Sequence, residues 1–340
     1  MSTRPTIRDV AEVAGVSIAT VSRFINQNGY VNDTTSQRIQ EAIRVTGYTP
    51  NIVARGLKTQ RTQLLLLVVA DICNPFYSRI AQTLQELTQQ AGYFLLLSDS
   101  KGNPEKEVAA LDIATQMLVE GVLFATINDN EKVTSTLSHG HYQVIGINGF
   151  RIGAPFDVVA VHHSGGTNLA VEHLIELGHR RIMFAGGTPG TMIADSRRCG
   201  YIAAMRKHEL PVDADGMIEI GFSQENGYVA GGHFAQMSEV PTAICCANDL
   251  IALGVIHALN DAGLQVPRDI SVTGMDDIPY AKISSPPLTT VSNDSVLFAR
   301  EAFSMLMERI QGKHELPPRR VEIPNVLLKR DSTGAPKQVL

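Results

Sequence analysis

Residues 6–26 read TIRDVAEVAGVSIATVSRFIN, two short helical stretches joined by a tight turn. Val10, Ala11 and Ala14 lay an apolar stripe at helical spacing on the first stretch. Gly15-Val16-Ser17 interrupts it, and Ser17 can cap the second. The pattern is that of a helix-turn-helix, whose second helix enters the DNA major groove. On this reading Ser17, Ile18, Ala19, Thr20 and Arg23 face bases and phosphates, while Val21 and Phe24 or Ile25 pack inward. A generic helical hairpin accounts for the spacing equally well, so the flanking sequence has to decide.

A third helix is signalled over 34–46, where Ile39, Ala42, Ile43 and Thr46 share one face and Gly47 ends it. Tyr48-Thr49-Pro50-Asn51 then forms a turn, and residues 52–58, IVARGLK, are too few for a helix that stands without a partner. The ordered run DVAEVAGVSIATVSRFIN, GYTPN and VARGLK resembles the head and hinge of the lactose/galactose-repressor (LacI/GalR) family of bacterial transcription regulators. The resemblance implies a DNA-binding set of Thr6, Ser17, Ile18, Ala19, Thr20, Ser22, Arg23, Asn26, Tyr30, Asn51, Ala54 and Leu57. It also implies a homodimer on a symmetric operator, with two hinges brought together and Leu57 wedging a minor-groove step.

Charge is divided along the chain in the same sense. Through Arg61 there are eight basic and four acidic residues, against 21 and 30 in the remainder, although the 340 residues together carry a net charge of −5. A basic head on an acidic body lets one end alone sit on phosphate. The hydrophobic fraction of 44% is that of an ordinary globular chain long enough for two or three cores. No stretch is apolar for the ~20 residues of a membrane span, and Met1 to Val10 is too polar for a signal peptide, so a cytoplasmic location is expected. Cys73, Cys199, Cys245 and Cys246 show no CxxC spacing and are expected to be reduced, buried small hydrophobes.

Beyond Arg61 strands alternate with amphipathic helices. Strands are expected at 64–70, 94–98, 121–125, 144–148, 158–161 and 181–185, with helices near 76–91, 105–118, 130–139 and 166–177. A second set follows, with helices near 195–208, 224–238 and 248–262 and strands at 217–220, 242–246 and 270–275. The fold class is therefore α/β, with parallel sheets covered by helices on both faces. Such sheets bind small ligands at the carboxyl ends of their strands. The resemblance implies a body like the periplasmic sugar-binding proteins, two lobes joined by three crossovers. On it the head and hinge are 1–61, lobe 1 about 62–161 and 292–319, lobe 2 about 162–291 and 320–331, and 332–340 a tail. The late helix at 294–311 returns to the first lobe and one last strand, 320–328, goes to the second.

The same resemblance implies an effector set of Phe76, Asp99, Asn148, Arg197, Phe222, Asn248 and Asp276. Phe76 follows the first strand, where a ring suits stacking on a sugar or purine and equally suits core packing. Arg197 opens a helix of the second lobe and offers a forked donor; Phe222 covers the ligand; Asn248 and Asp276 end strands and can meet hydroxyls. The chain departs from the family in having His162-His163 where many members carry Asp-Asn, which leans the effector towards an anionic or phosphorylated molecule. A metal at His139 and His141 or at His162 and His163 is not expected, because no carboxylate or thiolate sits at ligand spacing.

No GxxxxGK[ST], GxSxG or GxGxxG motif is present, so no enzyme and no cofactor are expected. Gly186-Gly187-Thr188-Pro189-Gly190 reads instead as a flexible crossover between lobes. A solute-binding protein would not carry a basic helix-turn-helix. The function expected is a sequence-specific DNA-binding regulator, a repressor, whose operator affinity is set by a small molecule in the cleft. A sugar or sugar derivative is the expected effector, with a purine or nucleoside as the alternative, and induction and corepression use the same residues. No leucine heptad follows Asp331, so a dimer rather than a tetramer is expected.

Overall fold

The structure, a computed structural model, describes residues 5–25, 28–49, 62–312 and 316–337. The chain divides into two compact units, Met1–Thr62 and Gln63–Leu340. In the first, helices α1 (Ile7–Ala14), α2 (Ile18–Ile25) and α3 (Asp33–Thr46) close on Val10, Ala11, Ala14, Val21, Ile39 and Ala42. The Asp9 carboxylate accepts from the Thr6 amide at 2.6 Å, and the Ser17 hydroxyl accepts from the Thr20 amide at 3.1 Å, so both helix starts are capped. Gly15 ends α1 at φ 63°, a left-handed turn. There Arg38 of α3 donates to the Ala14 carbonyl at 2.5 Å, in space that a side chain at 15 would take.

The second unit holds two six-stranded sheets. Strands β1 (Leu64–Val69), β2 (Phe94–Asp99), β3 (Gly121–Ala125), β4 (Gln143–Ile147), β5 (Asp157–Val161) and β11 (Arg320–Ile323) form one, in the order β11-β5-β4-β3-β1-β2, all parallel. Helices α4 (Pro75–Gln90), α5 (Pro104–Gln116), α6 (Glu131–His139) and α12 (Ser295–Ile310) cover its faces. The run LLLLVV serves both: Leu65, Leu67 and Val69 join one apolar cluster, Leu66 and Val68 the other.

The other sheet has the order β12-β10-β9-β8-β6-β7, from β6 (Ile182–Gly186), β7 (Met217–Glu219), β8 (Ala243–Cys246), β9 (Ser271–Asp276), β10 (Thr289–Ser292) and β12 (Val326–Leu328). Its helices are α7 (His163–Glu176), α8 (Met192–Lys207), α9 (Gln224–Ala235), α10 (Asp249–Asp261) and the short α11 (Pro279–Ile283). The chain passes between the two lobes after β5, after β10 and after β11.

Several sequence expectations are corrected. Residues 320–328 are not one strand of the second lobe: β11 pairs with β5 of the first sheet and β12, antiparallel, with β10 of the second. The break falls at Pro324-Asn325, where proline has no N–H for a ladder. Strand β10 has no expected counterpart, because Thr289-Thr290-Val291-Ser292 is polar although its threonines are buried. The glycine-rich stretch is not a lobe crossover; it links β6 to α8 within the second lobe. Cys73 and Cys199 are exposed, so the buried-hydrophobe reading holds for Cys245 and Cys246 alone. Among the described residues no helix is long and apolar enough to cross a membrane, and no cluster of three or more His, Cys, Asp or Glu could hold a metal.

Candidate effector cleft and DNA-reading face

Between the lobes of the second unit lies a cleft of about 490 Å³, bordered by the turns that leave the strands at their carboxyl ends. All seven residues of the expected effector set line it. Asn74 caps α4, its side-chain oxygen accepting from the Phe76 amide at 3.0 Å, and so places the Phe76 ring. That ring is largely buried, edge-on to Tyr77 and Phe298 at 5.3 and 6.0 Å. Phe76 is therefore a core residue whose surface is also a wall of the cleft. Asn148, at φ 57°, accepts from the Val161 amide at 3.2 Å and ties the ends of β4 and β5.

On the opposite side Arg197 is buried in the second turn of α8, not at the opening of a helix. It donates through Nη1 to the Ala247 carbonyl and through Nη2 to Asp276 Oδ1 at 3.2 Å, and its guanidinium lies 5.9 Å from the Phe222 ring centroid. Its buried Nε has no partner among the described residues. Asn248 is more committed than its sequence position suggested: Oδ1 accepts from the Ile251 amide at 2.8 Å, and Nδ2 donates to the Phe222 carbonyl at 3.0 Å. It is a scaffold for Phe222 as well as a lining group. Asp276 Oδ1 already takes Arg197 and Asn293, which leaves Oδ2 as the oxygen that can accept from ligand hydroxyls. Burial raises its carboxyl above the ordinary range, while Arg197 and the Asn293 hydrogen bond pull it down. Its φ of 107° is rare for a residue with a side chain, a strain of the kind stored at functional sites.

The Phe222 ring packs against the loop after β6. A Cβ built at Gly187 would sit 2.1 Å from the Phe222 ring, so only glycine lets that backbone pass beneath it. Gly187→Ala is expected to displace the ring and cost about 1–3 kcal/mol through overpacking. Urea denaturation reads this, and an unchanged midpoint would show that the ring can give way freely.

Sequence reasoning missed Asp71, Asn74, Lys101, Thr188, Ser223 and Asn226, which also line the cleft. For five of them the signal was available, because they follow a strand end within about five residues; Asn226 lies further on, in the first turn of α9. The histidine expectation is corrected. Neither His162 nor His163 lines the cleft. His162 is exposed beside Ser164, and His163 is buried, where desolvation and then the Arg197 and Arg320 charges push its pKa well down and keep it neutral. The anionic lean loses its basis.

In the head, Ser17, Ile18, Ala19, Arg23 and Thr6 are exposed, Thr20 and Ser22 are half-buried, and Tyr30 is almost fully exposed. Val21 is buried, with Phe24 and Ile25 packed against the same cluster. One face of α2 is thus largely exposed and the other holds the head together. Asn26, Asn51, Ala54 and Leu57 lie outside the described residues.

Residues 6–51 match the family of bacterial regulatory proteins, lacI family, and residues 171–333 match the periplasmic binding protein-like domain. The chain is 34% identical over 310 residues to the HTH-type transcriptional repressor PurR of Haemophilus influenzae (strain PittEE), covering 91% of this chain and 92% of that one. This chain belongs to the lacI family. The HTH-type transcriptional regulator DegA of Bacillus subtilis (strain 168) is 32% identical over 334 residues, covering 97% and 98% of the two chains. The lac repressor dimer bound to operator and the anti-inducer ONPF superposes with a TM-score of 0.87 at 28% identity, over 98% of this chain and 100% of that one. As a lacI-family protein, this chain is a DNA-binding transcriptional regulator under small-molecule control.

Proposed function

We propose that the cleft takes a neutral, polyhydroxylated molecule, a sugar or uncharged sugar derivative, and that its occupancy sets the affinity of a homodimeric repressor for its operator. The supporting observation is the balance of groups around the cleft. Arg197 and Asp276 already neutralise each other at 3.2 Å. Among the described lining residues the other charges are Asp71, Asp99 and Lys101, a net negative balance that opposes a phosphate or carboxylate. Asn148, Asn226, Thr188 and Ser223 offer donors and acceptors to hydroxyls, while Phe222 and Ile193 give a wall for a C–H face.

A thermal-shift panel of ribose, lactose and cellobiose against glucose 6-phosphate, gluconate, guanine and hypoxanthine tests this. A neutral sugar at a hundred times its Kd stabilises by about 2.7 kcal/mol, a shift of several degrees. A larger shift from the phosphate or the acid would sink the neutral class. The flat faces of Phe222 and Phe76 favour a purine as second reading, and a response confined to guanine or hypoxanthine would establish it.

In the head, Ile18 and Ala19 meet base edges, while Ser17, Thr20, Ser22 and Arg23 meet the backbone or bases; Thr6 and Tyr30 flank them. Arg23→Ala should weaken binding to duplex DNA and reduce the salt slope by about 0.9 if it neutralises one phosphate. A titration from low to high salt with an unaltered slope would place Arg23 off the DNA. Dimerisation is supported by apolar groups left exposed on the second lobe, where Tyr280 and Ile283 are 52% and 78% exposed and border one hollow with His257. The edge strand β2 adds exposed Phe94 and Leu97 on the first lobe.

A further inference from the structure

The three connections between the lobes converge on a short line of two amides, Asn293 buried and Asn325 half-buried. Asn293, 1% exposed, directly follows β10 in the second connection and donates through Nδ2 to Asp276 Oδ1 at 2.8 Å. Its own Oδ1 accepts from Nδ2 of Asn325 at 2.9 Å, and Asn325 lies in the third connection, between β11 and β12. The first connection leads into α7, and its first turn closes on the same point. A Cβ at Gly166 would lie 3.1 Å from Asn325 Nδ2 and 2.9 Å from the Met275 methyl. The residue after Met275 is Asp276, which borders the effector cleft and whose Oδ2 has no partner among the described residues.

The order of donors and acceptors gives the line a direction. Asn293 must donate to a carboxylate and accept from a neighbour at once, which aspartate and leucine, close to it in shape, cannot do. A buried amide that lost its partner would carry the full cost of desolvation, so the line moves as one piece or breaks. We propose that Asn293 and Asn325 are positioning residues that carry a change at the Asp276 carboxylate to the lobe connections. A hydroxyl donated to Oδ2 draws the carboxylate towards the cleft, and Asn293 and Asn325 follow with the segments that hold them. Only this last step rests on the cleft being the effector site.

The test needs no effector. Amide hydrogen exchange is measured on the full-length protein for wild type, Asp276→Asn, Asn325→Ala, Asn293→Ala, and each of the first two combined with Asn293→Ala. Asp276→Asn weakens a charge-assisted bond and should speed exchange of Ile323, Asn325 and Val326 about tenfold in the wild-type background. With Asn293→Ala already present it should change these amides less than twofold. The reverse measurement stands if Asp276→Asn does not fold. Asn325→Ala should then speed exchange at Asp277 and Ile278 in the same manner, again only while Asn293 is intact. Equal effects in both backgrounds, within the twofold expected of independent sites, would overturn the proposal. A failed sugar panel leaves this measurement decisive, and additive exchange leaves the sugar reading untouched.

Discussion

Asp157→Ala is expected to lower the unfolding free energy by about 3–5 kcal/mol, the typical effect of removing one partner from a buried ion pair. Asp157 opens β5 with its side chain fully buried. Oδ1 accepts from Arg309 Nη2 at 2.5 Å and the Arg319 amide at 2.7 Å; Oδ2 accepts from Arg309 Nε at 2.9 Å and Arg319 Nη2 at 3.0 Å. Without the carboxylate, Arg309 keeps the Leu316 and Pro317 carbonyls but loses the buried anion that both its Nε and its Nη2 hold. The pair pins the end of α12 to the start of β5 and to the segment entering β11, so the loss should appear as cooperative unfolding of the first lobe. Burial alone would raise the Asp157 pKa; the Arg309 and Arg319 hydrogen bonds outweigh it and hold the carboxyl below the ordinary range. Its stabilisation is thus present above pH ~3.9 and disappears as pH falls through the lowered value. Urea denaturation at pH 7 measures the cost, and a loss below about 1 kcal/mol would mean the carboxylate only breaks even.

The second large effect concerns three neutral imidazoles. His163, His173 and His179 are all buried, and desolvation leads the causes that lower their pKa values. A histidine with a lowered folded pKa binds its proton more readily when unfolded. Stability is therefore full above the unfolded value of ~6.5 and falls as pH drops towards the folded values. Three such protons set an upper slope of about 4 kcal/mol per pH unit below pH ~6.5. The buried carboxyls of Glu107 and Asp249, raised first by burial, act with the opposite sign and lose stability as pH rises through their folded values. Comparison of wild type with His163→Leu isolates one imidazole: the difference between their stability curves should steepen by up to about 1.4 kcal/mol per pH unit below 6.5. Parallel curves would show that His163 finds a partner for its charge.

What was legible in the sequence follows from how local each signal is. The head could be read because its stripe, turn glycine and caps all lie within a few residues, and Val10, Ala14 and Val21 are buried as that spacing requires. Strands such as β1 and β3 were legible as apolar runs covered on both faces. β10 was not, because its threonine hydroxyls are satisfied by partners some forty residues away, Asp249 and Arg330. In the cleft, strand-end positions marked the lining but not its wiring. Arg197 and Asp276 are 79 residues apart and Asp276 and Asn293 17 apart, and no periodicity announces such pairs. The split of 320–328 was hidden because each half is too short to announce a strand of its own, while the proline between them reads as an ordinary edge signal.

The interleaving of the two sheets also fixes a timetable for synthesis. Lobe 1 begins with β1 to β5, yet its covering helix α12 and its edge strand β11 come from residues 295–323. At about 5–20 residues per second, a ribosome takes on the order of ten seconds to make the intervening lobe. During that interval the sheet face that α12 will occupy is exposed, and Asp157 waits for Arg309. The second lobe waits in turn for β12. The head has no such dependence, since its core is complete once α3 has emerged. A nascent chain would therefore hold a finished DNA-reading head before either half of its control domain can close, and the unpaired apolar face of lobe 1 makes it a natural client for chaperones until the last strands are delivered.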